Sequence, residues 1–303
     1  METYRNSNDT QDNIDEIDIK KLLFIIWDGK ITIAILTILF SFLTYFYSIN
    51  LPNIYESRAL LNTAEEMNSR SQSGSLGGLA SFAGINISSG GGKASLAIKK
   101  IKTLSFYEDS ILPNIYLPDL MAFKSWDPVK NSNYYDENLY NLEKNTWISM
   151  PSAQTSYSKF NSILSISESL DNNFITISVK HQSPYVAQAW AELVVDQIND
   201  YYRVIDKKEA KMSIDFLNAQ MAQTSYTELK QAISQLIKQK MQKLTLIEAN
   251  KFYIFSYLDP PKVMESKIEP DRMSITILGA IIGIMLGLMF VLARNFFSFK
   301  SPK

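Results

Sequence analysis

Two long stretches without a single charge constrain this chain more than anything else in it. The first is uncharged from Ile31 to Tyr55, with ITIAILTILFSFLTYFYSI filling Ile31 to Ile49. The second, MSITILGAIIGIMLGLMFVLA, runs from Met273 to Ala293 between Arg272 and Arg294. Each has roughly the 20 residues of helix that cross a hydrocarbon core about 30 Å thick. A helix satisfies its own backbone polar groups in lipid, so both stretches are expected to be transmembrane helices. A cleaved signal peptide is the rival for the first. That stretch, however, begins about thirty residues in, follows an acidic segment and lacks an A-x-A-like exit before Leu51 and Pro52.

Basic residues near the spans set the expected orientation. Lys20, Lys21 and Lys30 precede the first span, and Arg294, Lys300 and Lys303 follow the second. Glu56, Arg58 and Arg272 give little bias on the other side, so both termini are expected in the cytoplasm. The expected map is a cytoplasmic tail at 1–30, a span at 31–49, one extracytoplasmic domain at 50–272, a span at 273–293 and a second tail at 294–303. Neither tail is long enough to fold an enzyme domain.

Composition removes several chemistries. With 30 Lys+Arg against 31 Asp+Glu and no basic block, the chain lacks the electrostatic footprint of a nucleic-acid binder. The absence of Cys excludes disulfides and thiolate chemistry, and a single His excludes a multi-histidine metal site within one chain.

Seven of the eleven glycines fall between Gly74 and Gly92, inside SRSQSGSLGGLASFAGINISSGGGK from Ser69 to Lys93. That segment reads as a mobile loop with one apolar patch, Leu76 to Ile87. Before Pro184 the chain carries strand-like runs. LPNIYESRALLNT is one, and ILSISESLDNNFITISVKH reads as a hairpin around Asp171-Asn172-Asn173. After Pro184 there is no Gly or Pro until Pro260, and the pattern is helical to about Phe255, with Ser183-Pro184 at its start. The fold class expected is therefore α+β.

Within the helical block Leu229, Ile233, Leu236 and Leu244 belong to an amphipathic stripe of near-heptad spacing. A continuous helix from Lys207 to Ile247 would reach about 60 Å. A rod of that length implies an elongated body or packing against other copies, with burial inside one chain as the alternative. Gly279, Gly283 and Gly287 are spaced four apart, which puts them on one face of the second span, the small-xxx-small device for close helix approach. Their partner is either the first span or a neighbouring copy. Pro260, Pro261 and Pro270 mark a stiff extended connector leading into the second span.

Candidate chemistry is thin. Gly90-Gly91-Gly92-Lys93-Ala94-Ser95 invites a phosphate-loop reading, but Ile87 stands where the first glycine is needed and Ala94 where the hydroxyl is needed, so no nucleotide is expected. His181 could act as a general base, but no nucleophile elbow or HExxH surrounds it. Glu65-Glu66 and Asp136-Glu137 are neighbours in sequence, which says nothing of apposition across a substrate. Trp126, Tyr134 and Tyr135 lie in a charged, Asn-rich region. The expectation is no enzyme, no cofactor and no metal.

Taken in order, these segments resemble the Wzz-type chain-length determinants, the polysaccharide co-polymerases of Gram-negative inner membranes. The resemblance is carried by IDIKKLLFIIWDGK from Ile17 to Lys30, LGGLASFAGI from Leu76 to Ile85 and ITISVKHQSPYVAQAWAELVVDQIN from Ile175 to Asn199. EAKMSIDFLNAQM, AISQLIKQKMQKL, the DPPK…EPDR connector and the glycine-ridged second span complete it. Met264 departs from it, since the family often carries another proline there. The resemblance implies an α/β base near the membrane, a long helix protruding into the periplasm and a bell-like homo-oligomer. It also implies a non-enzymatic regulator of the chain length of a surface polysaccharide, lipopolysaccharide O-antigen or a related glycan, acting with the polymerase and the growing lipid-linked glycan. The implied location is a two-pass protein of the bacterial inner membrane with its bulk in the periplasm. Three alternatives stay open: a capsule or exopolysaccharide export component bridging to an outer-membrane channel, a two-span periplasmic sensor, and a periplasmic membrane-anchored hydrolase.

Overall fold

The computed structural model describes residues 19–63, 90–169 and 174–298. The chain divides into two compact units, Met1–Leu51 with Pro270–Lys303, and Pro52–Glu269. In the first unit, α1 (Ile19–Asp28) leads through Gly29 into α2 (Lys30–Asn50). Here the helix starts ahead of the expected span and ends one residue after it. The unit's remaining helix, Arg272–Ser298, likewise runs past residue 293. Both α2 and this last helix are long and apolar enough to cross a membrane.

The second unit is built on an antiparallel sheet. Strand β1 (Tyr55–Thr63) follows the first span, as the LPNIYESRALLNT run predicts. The next element among the described residues is helix α3 (Gly90–Ile101), so the glycines at 90–92 open a helix instead of extending the loop. The apolar patch from Leu76 to Ile87 lies outside the described residues. A run of short helical turns over residues 104–114 and α4 (Leu117–Met121) precede two small hairpins, β2 (Phe123–Asp127) with β3 (Ser132–Tyr135) and β4 (Tyr140–Asn141) with β5 (Thr146–Trp147). Asn131 and Asn145 take positive φ at the hairpin turns, a conformation Asn tolerates. Helix α5 (Ala153–Ile163) then leads to β6 (Leu164–Glu168) and β7 (Ile175–His181), which pair as the expected hairpin; its turn, 170–173, is outside the described residues.

The long helical block is not one rod. It consists of α6 (Pro184–Gln223) and α7 (Thr227–Ala249), separated by Thr224-Ser225-Tyr226 in non-helical conformation. Three successive residues of modest helix propensity mark a weak point, though not one that Gly or Pro would announce. The chain turns back there, since Lys207 Nζ on α6 lies 2.7 Å from Glu248 on α7. Reversal lets α6 bury Ala210 and Ile214 while α7 buries Ile233 and Ile247. After Ala249 the chain is no longer helical, and Phe255–Asp259 forms β8, a strand that the helical reading to Phe255 does not anticipate.

Sheet order is β6-β7-β1-β8. Period-two alternation puts Ala59, Leu61, Ile175, Ile177 and Val179 on one face, all fully buried. Against them α6 brings Trp190, Ala191, Val194, Val195 and Ile198 at helical spacing. The end of that contact is held by Asn199. Its Oδ1 accepts from the N–H groups of Ile254 and Phe255 at 2.7 and 2.9 Å, and its Nδ2 donates to the carbonyls of Val195 and Phe255 at 3.0 Å each. One buried amide thus fixes the start of β8 to the long helix. Asn199→Leu would leave two buried N–H groups unmet and is expected to cost roughly 2–6 kcal/mol, since each orphaned buried group costs about 1–3 kcal/mol. Denaturant unfolding of the purified chain in detergent checks this; an unchanged midpoint would refute the bracket.

Candidate functional site

Three places carry the residues singled out in the sequence: the apolar helix pair, the α6–α7 hairpin and the edge of the sheet where the connector returns. The last helix, α8 (Arg272–Ser298), runs antiparallel to α2, and its glycines face it. A Cβ added to Gly287 would stand 2.9 Å from Ile33 Cα, one at Gly283 2.7 Å from Thr37 Cα, and one at Gly279 2.0 Å from Thr44 Oγ1. Of the two partners open from the sequence, the one in contact here is the first span. Spacing alone does not reveal that Gly29 joins the ladder: a Cβ there would lie 2.4 Å from Val291 Cγ1. Thr37 and Thr44 return their hydroxyls to the carbonyls of Ile33 and Phe40, at 2.8 and 2.9 Å, so neither is left unpaired in an apolar setting.

At Gly283 and Gly287 the first obstacle is backbone, which cannot rotate away. Gly283→Ala is therefore expected to force the helices apart at a cost of about 1–3 kcal/mol, and Gly283→Leu to cost more. Gly92→Ala is the control: it sits in helix α3 with nothing within 4 Å of the added carbon. It should be neutral or stabilising by up to about 1 kcal/mol. Unfolding in SDS, followed by helicity, reads both; equal behaviour of Gly283→Ala and Gly92→Ala would refute the packing.

The stripe on α7 splits between two environments. Ile233 is 7% exposed and faces inward, whereas Leu229 and Leu236 are 49% and 44% exposed; Leu244 is half-buried. The hairpin uses part of the stripe and leaves part uncovered.

The connector runs beside β1. Pro261 is buried and Pro260 exposed. The Pro261 carbonyl accepts from Gln188 Nε2 at 3.2 Å, and the Lys262 carbonyl from Ser57 Oγ at 2.8 Å. Ile54 and Glu269 then exchange backbone hydrogen bonds one residue before Pro270. Extended proline-rich backbone is what lets the segment lie along a strand. Nearby, the sheet face away from the core forms an open groove of about 480 Å³ lined by Glu56, Arg58, Ser162, Ser165 and Lys180. Its charges are already paired, Arg58 with Glu56 at 2.5 Å and Lys180 with Glu269 at 2.6 Å. Burial raises the Glu56 carboxyl, but hydrogen bonds from Arg58 and Ser178 and the charges of Arg58 and Lys180 hold it below its ordinary value.

The residues that could have carried chemistry have other partners. His181 is buried; its Nδ1 accepts from the Ser183 N–H at 3.0 Å, so Nε2 carries the proton and donates to the Asp119 carbonyl at 2.9 Å. Burial keeps its pKa below the ordinary histidine value despite the Asp119 contacts, and the ring packs edgewise on Phe123 and Trp190. This neutral imidazole fixes the turn into α6. Lys93 is ion-paired to Asp206 at 2.8 Å, and the Tyr253 hydroxyl donates to the same oxygen. Burial raises Asp206, but Lys93 and Tyr253 hold it below the ordinary carboxylate value. Asp136 receives the Asn138 N–H at 2.9 Å, a turn contact, and Glu65 and Glu66 lie outside the described residues. Tyr135 donates to Asp119 at 2.7 Å, with burial and that carboxylate raising its pKa; Trp126 donates to Asn131 at 2.9 Å. Tyr134 is exposed. Among the described residues no group of three or more His, Asp and Glu could hold a metal ion.

No curated protein matches the chain. Among solved structures, a full-length bacterial polysaccharide co-polymerase is similar, with 16% identity, a TM-score of 0.43, and coverage of 94% of this chain and 100% of that one. A fragment of WzzB, a polysaccharide co-polymerase from Salmonella Typhimurium, is 14% identical with a TM-score of 0.32, covering 72% of this chain and 100% of the fragment. The family model described as Wzz, chain length determinant protein, matches residues 15–110, which hold α1, α2, β1, α3 and part of the helical turns that follow it. On that match the resemblance to the Wzz-type chain-length determinants is borne out.

Proposed function

We propose that the chain is a non-enzymatic regulator of the length of a surface polysaccharide, lipopolysaccharide O-antigen or a related glycan. It works as a two-pass protein of the bacterial inner membrane, both termini cytoplasmic and residues 50–272 in the periplasm, beside the polymerase and its lipid-linked glycan. The observation that carries this reading is the chain-length-determinant match at residues 15–110, laid over an apolar helix that enters a mixed α/β unit. The second apolar helix leaves that unit and supports the two-pass arrangement. His181, Lys93 and Asp136 serve packing, pairing and a turn. Deleting the gene and running the surface polysaccharide on a gel is the direct test. A ladder that loses its modal length but keeps short and long chains is expected, restored by complementation. Loss of surface polymer with intracellular accumulation would point instead to export, and an unchanged ladder would overturn the reading.

The homo-oligomer forms, in this proposal, through the part of the α7 stripe that its own hairpin leaves uncovered. Leu229 and Leu236 are exposed apolar residues beside the buried Ile233, and symmetric copies are the usual way such a face is covered. Leu236→Glu is expected to shift the purified assembly toward monomer with helicity intact, while Ile233→Glu should destabilise the hairpin itself by several kcal/mol, a charge having been placed at a buried site. Sedimentation and circular dichroism separate the two; an unchanged assembly in Leu236→Glu would rule the face out.

A further inference from the structure

The ten residues of α1 lie ahead of the first apolar helix yet carry an apolar surface of their own. Leu23, Phe24 and Trp27 are exposed, and the exposed line continues without a break through Ile31, Ile35, Ile38 and Phe42 on α2. These are the positions of α2 turned away from the glycines of α8, while Gly29, on the inner side, is buried against Val291. The outer surface of α1 is thus continuous with the surface that a span gives to lipid. Length, however, keeps α1 out of the hydrocarbon. Residues 19–50 make about 48 Å of helix at 1.5 Å per residue, against a core of about 30 Å. The surplus is α1, about 15 Å long, whereas each headgroup layer is only about 5–7 Å deep.

A helix of that length fits the layer only by leaning along it. Gly29 permits the change of direction: its backbone, at φ −85° and ψ 2°, departs from helical values, although its N–H still bonds to the Ile25 carbonyl. The flanking residues suit the headgroup depth. Lys20, Lys21, Asp28 and Lys30 bracket the apolar group in sequence, and Lys30 Nζ sits 4.7 Å from the centre of the Trp27 ring. Trp and Lys together are the side chains that anchor at a lipid–water boundary, and an excess of Lys favours anionic headgroups.

We propose that α1 is a lipid-contacting element lying in the headgroup layer of an anionic leaflet, with Leu23, Phe24 and Trp27 at the acyl boundary. The proposal rests on the two-span reading. Because the chain has no cysteine, Leu23→Cys and, as a mid-span reference, Leu39→Cys each provide one nitroxide site in the full chain. The labelled proteins are placed in nanodiscs of phosphatidylcholine with and without phosphatidylglycerol, and accessibility to oxygen and to an aqueous nickel chelate is measured. The expected result is a Leu23 label at headgroup depth, shallower than Leu39, that loses nickel access when phosphatidylglycerol is present. Combining Lys20→Gln, Lys21→Gln and Lys30→Gln should abolish that shift. Bulk-water nickel access at Leu23 with Leu39 still deep would place α1 in water and overturn the proposal. Shielding of Leu23 from both reagents would mean that protein covers it, also overturning it, and no response to phosphatidylglycerol would refute the anionic contact. Water access at Leu39 as well would instead bring down the two-span reading itself.

Discussion

Strand β1 is the constraint from which the folded domain follows. It is claimed on both sides, by β7 over Tyr55 to Leu61 and by β8 over Leu60 to Thr63. Its buried face supplies Ala59 and Leu61, against which α6 packs, and its other face supplies Glu56 and Arg58 to the polar groove. Because strand pairing fixes which residues face which side, a slip of one residue would send Arg58 into the core and Ala59 out to the groove. The buried alanine opposite Ile177 and the ion pair opposite Lys180 therefore specify the same register from opposite faces.

The helical hairpin and the apolar pair solve one packing problem in different ways. In water, an amphipathic helix as long as α6 outruns its sheet, and α7 returns to cover Ala210 and Ile214. In lipid no hydrophobic force drives two apolar helices together, so close approach has to supply the attraction. Glycine at 279, 283 and 287 lets the backbones meet, and the threonines opposite keep their hydroxyls satisfied within their own helix.

Much of this was legible in the sequence because it is written as local pattern. The β6–β7 hairpin, β1 and the start of α6 at Pro184 all follow from alternation, turn residues and a proline suited to a first helical turn. What was missed depends on tertiary contacts. The break at Thr224-Ser225-Tyr226 contains neither Gly nor Pro, and its stability comes from burying Ile233 and Ile247, which a stripe alone cannot assign to one chain or to two. Strand β8 is short and is fixed by Asn199, a polar residue more than fifty positions away whose place between Ile198 and Asp200 looks like an ordinary helix surface. Its only signal is that it continues the buried line of Val195 and Ile198. Gly29 has no signal in local sequence, because its partner, Val291, lies at the other end of the chain.

The central position of β1 also sets the order in which the domain is completed. This strand is made early, but one neighbour, β7, ends at His181 and the other, β8, at Asp259. At synthesis rates of about 5–20 residues per second, its second edge stays unmatched for on the order of 10–40 s. Throughout that interval a half-apolar strand has emerged without its permanent neighbour, the state in which edges pair with the wrong chain. Glu56 and Arg58 on β1 place charge where such a mistaken sheet would have to stack, so the residues that line the groove of the finished protein also guard the unfinished one.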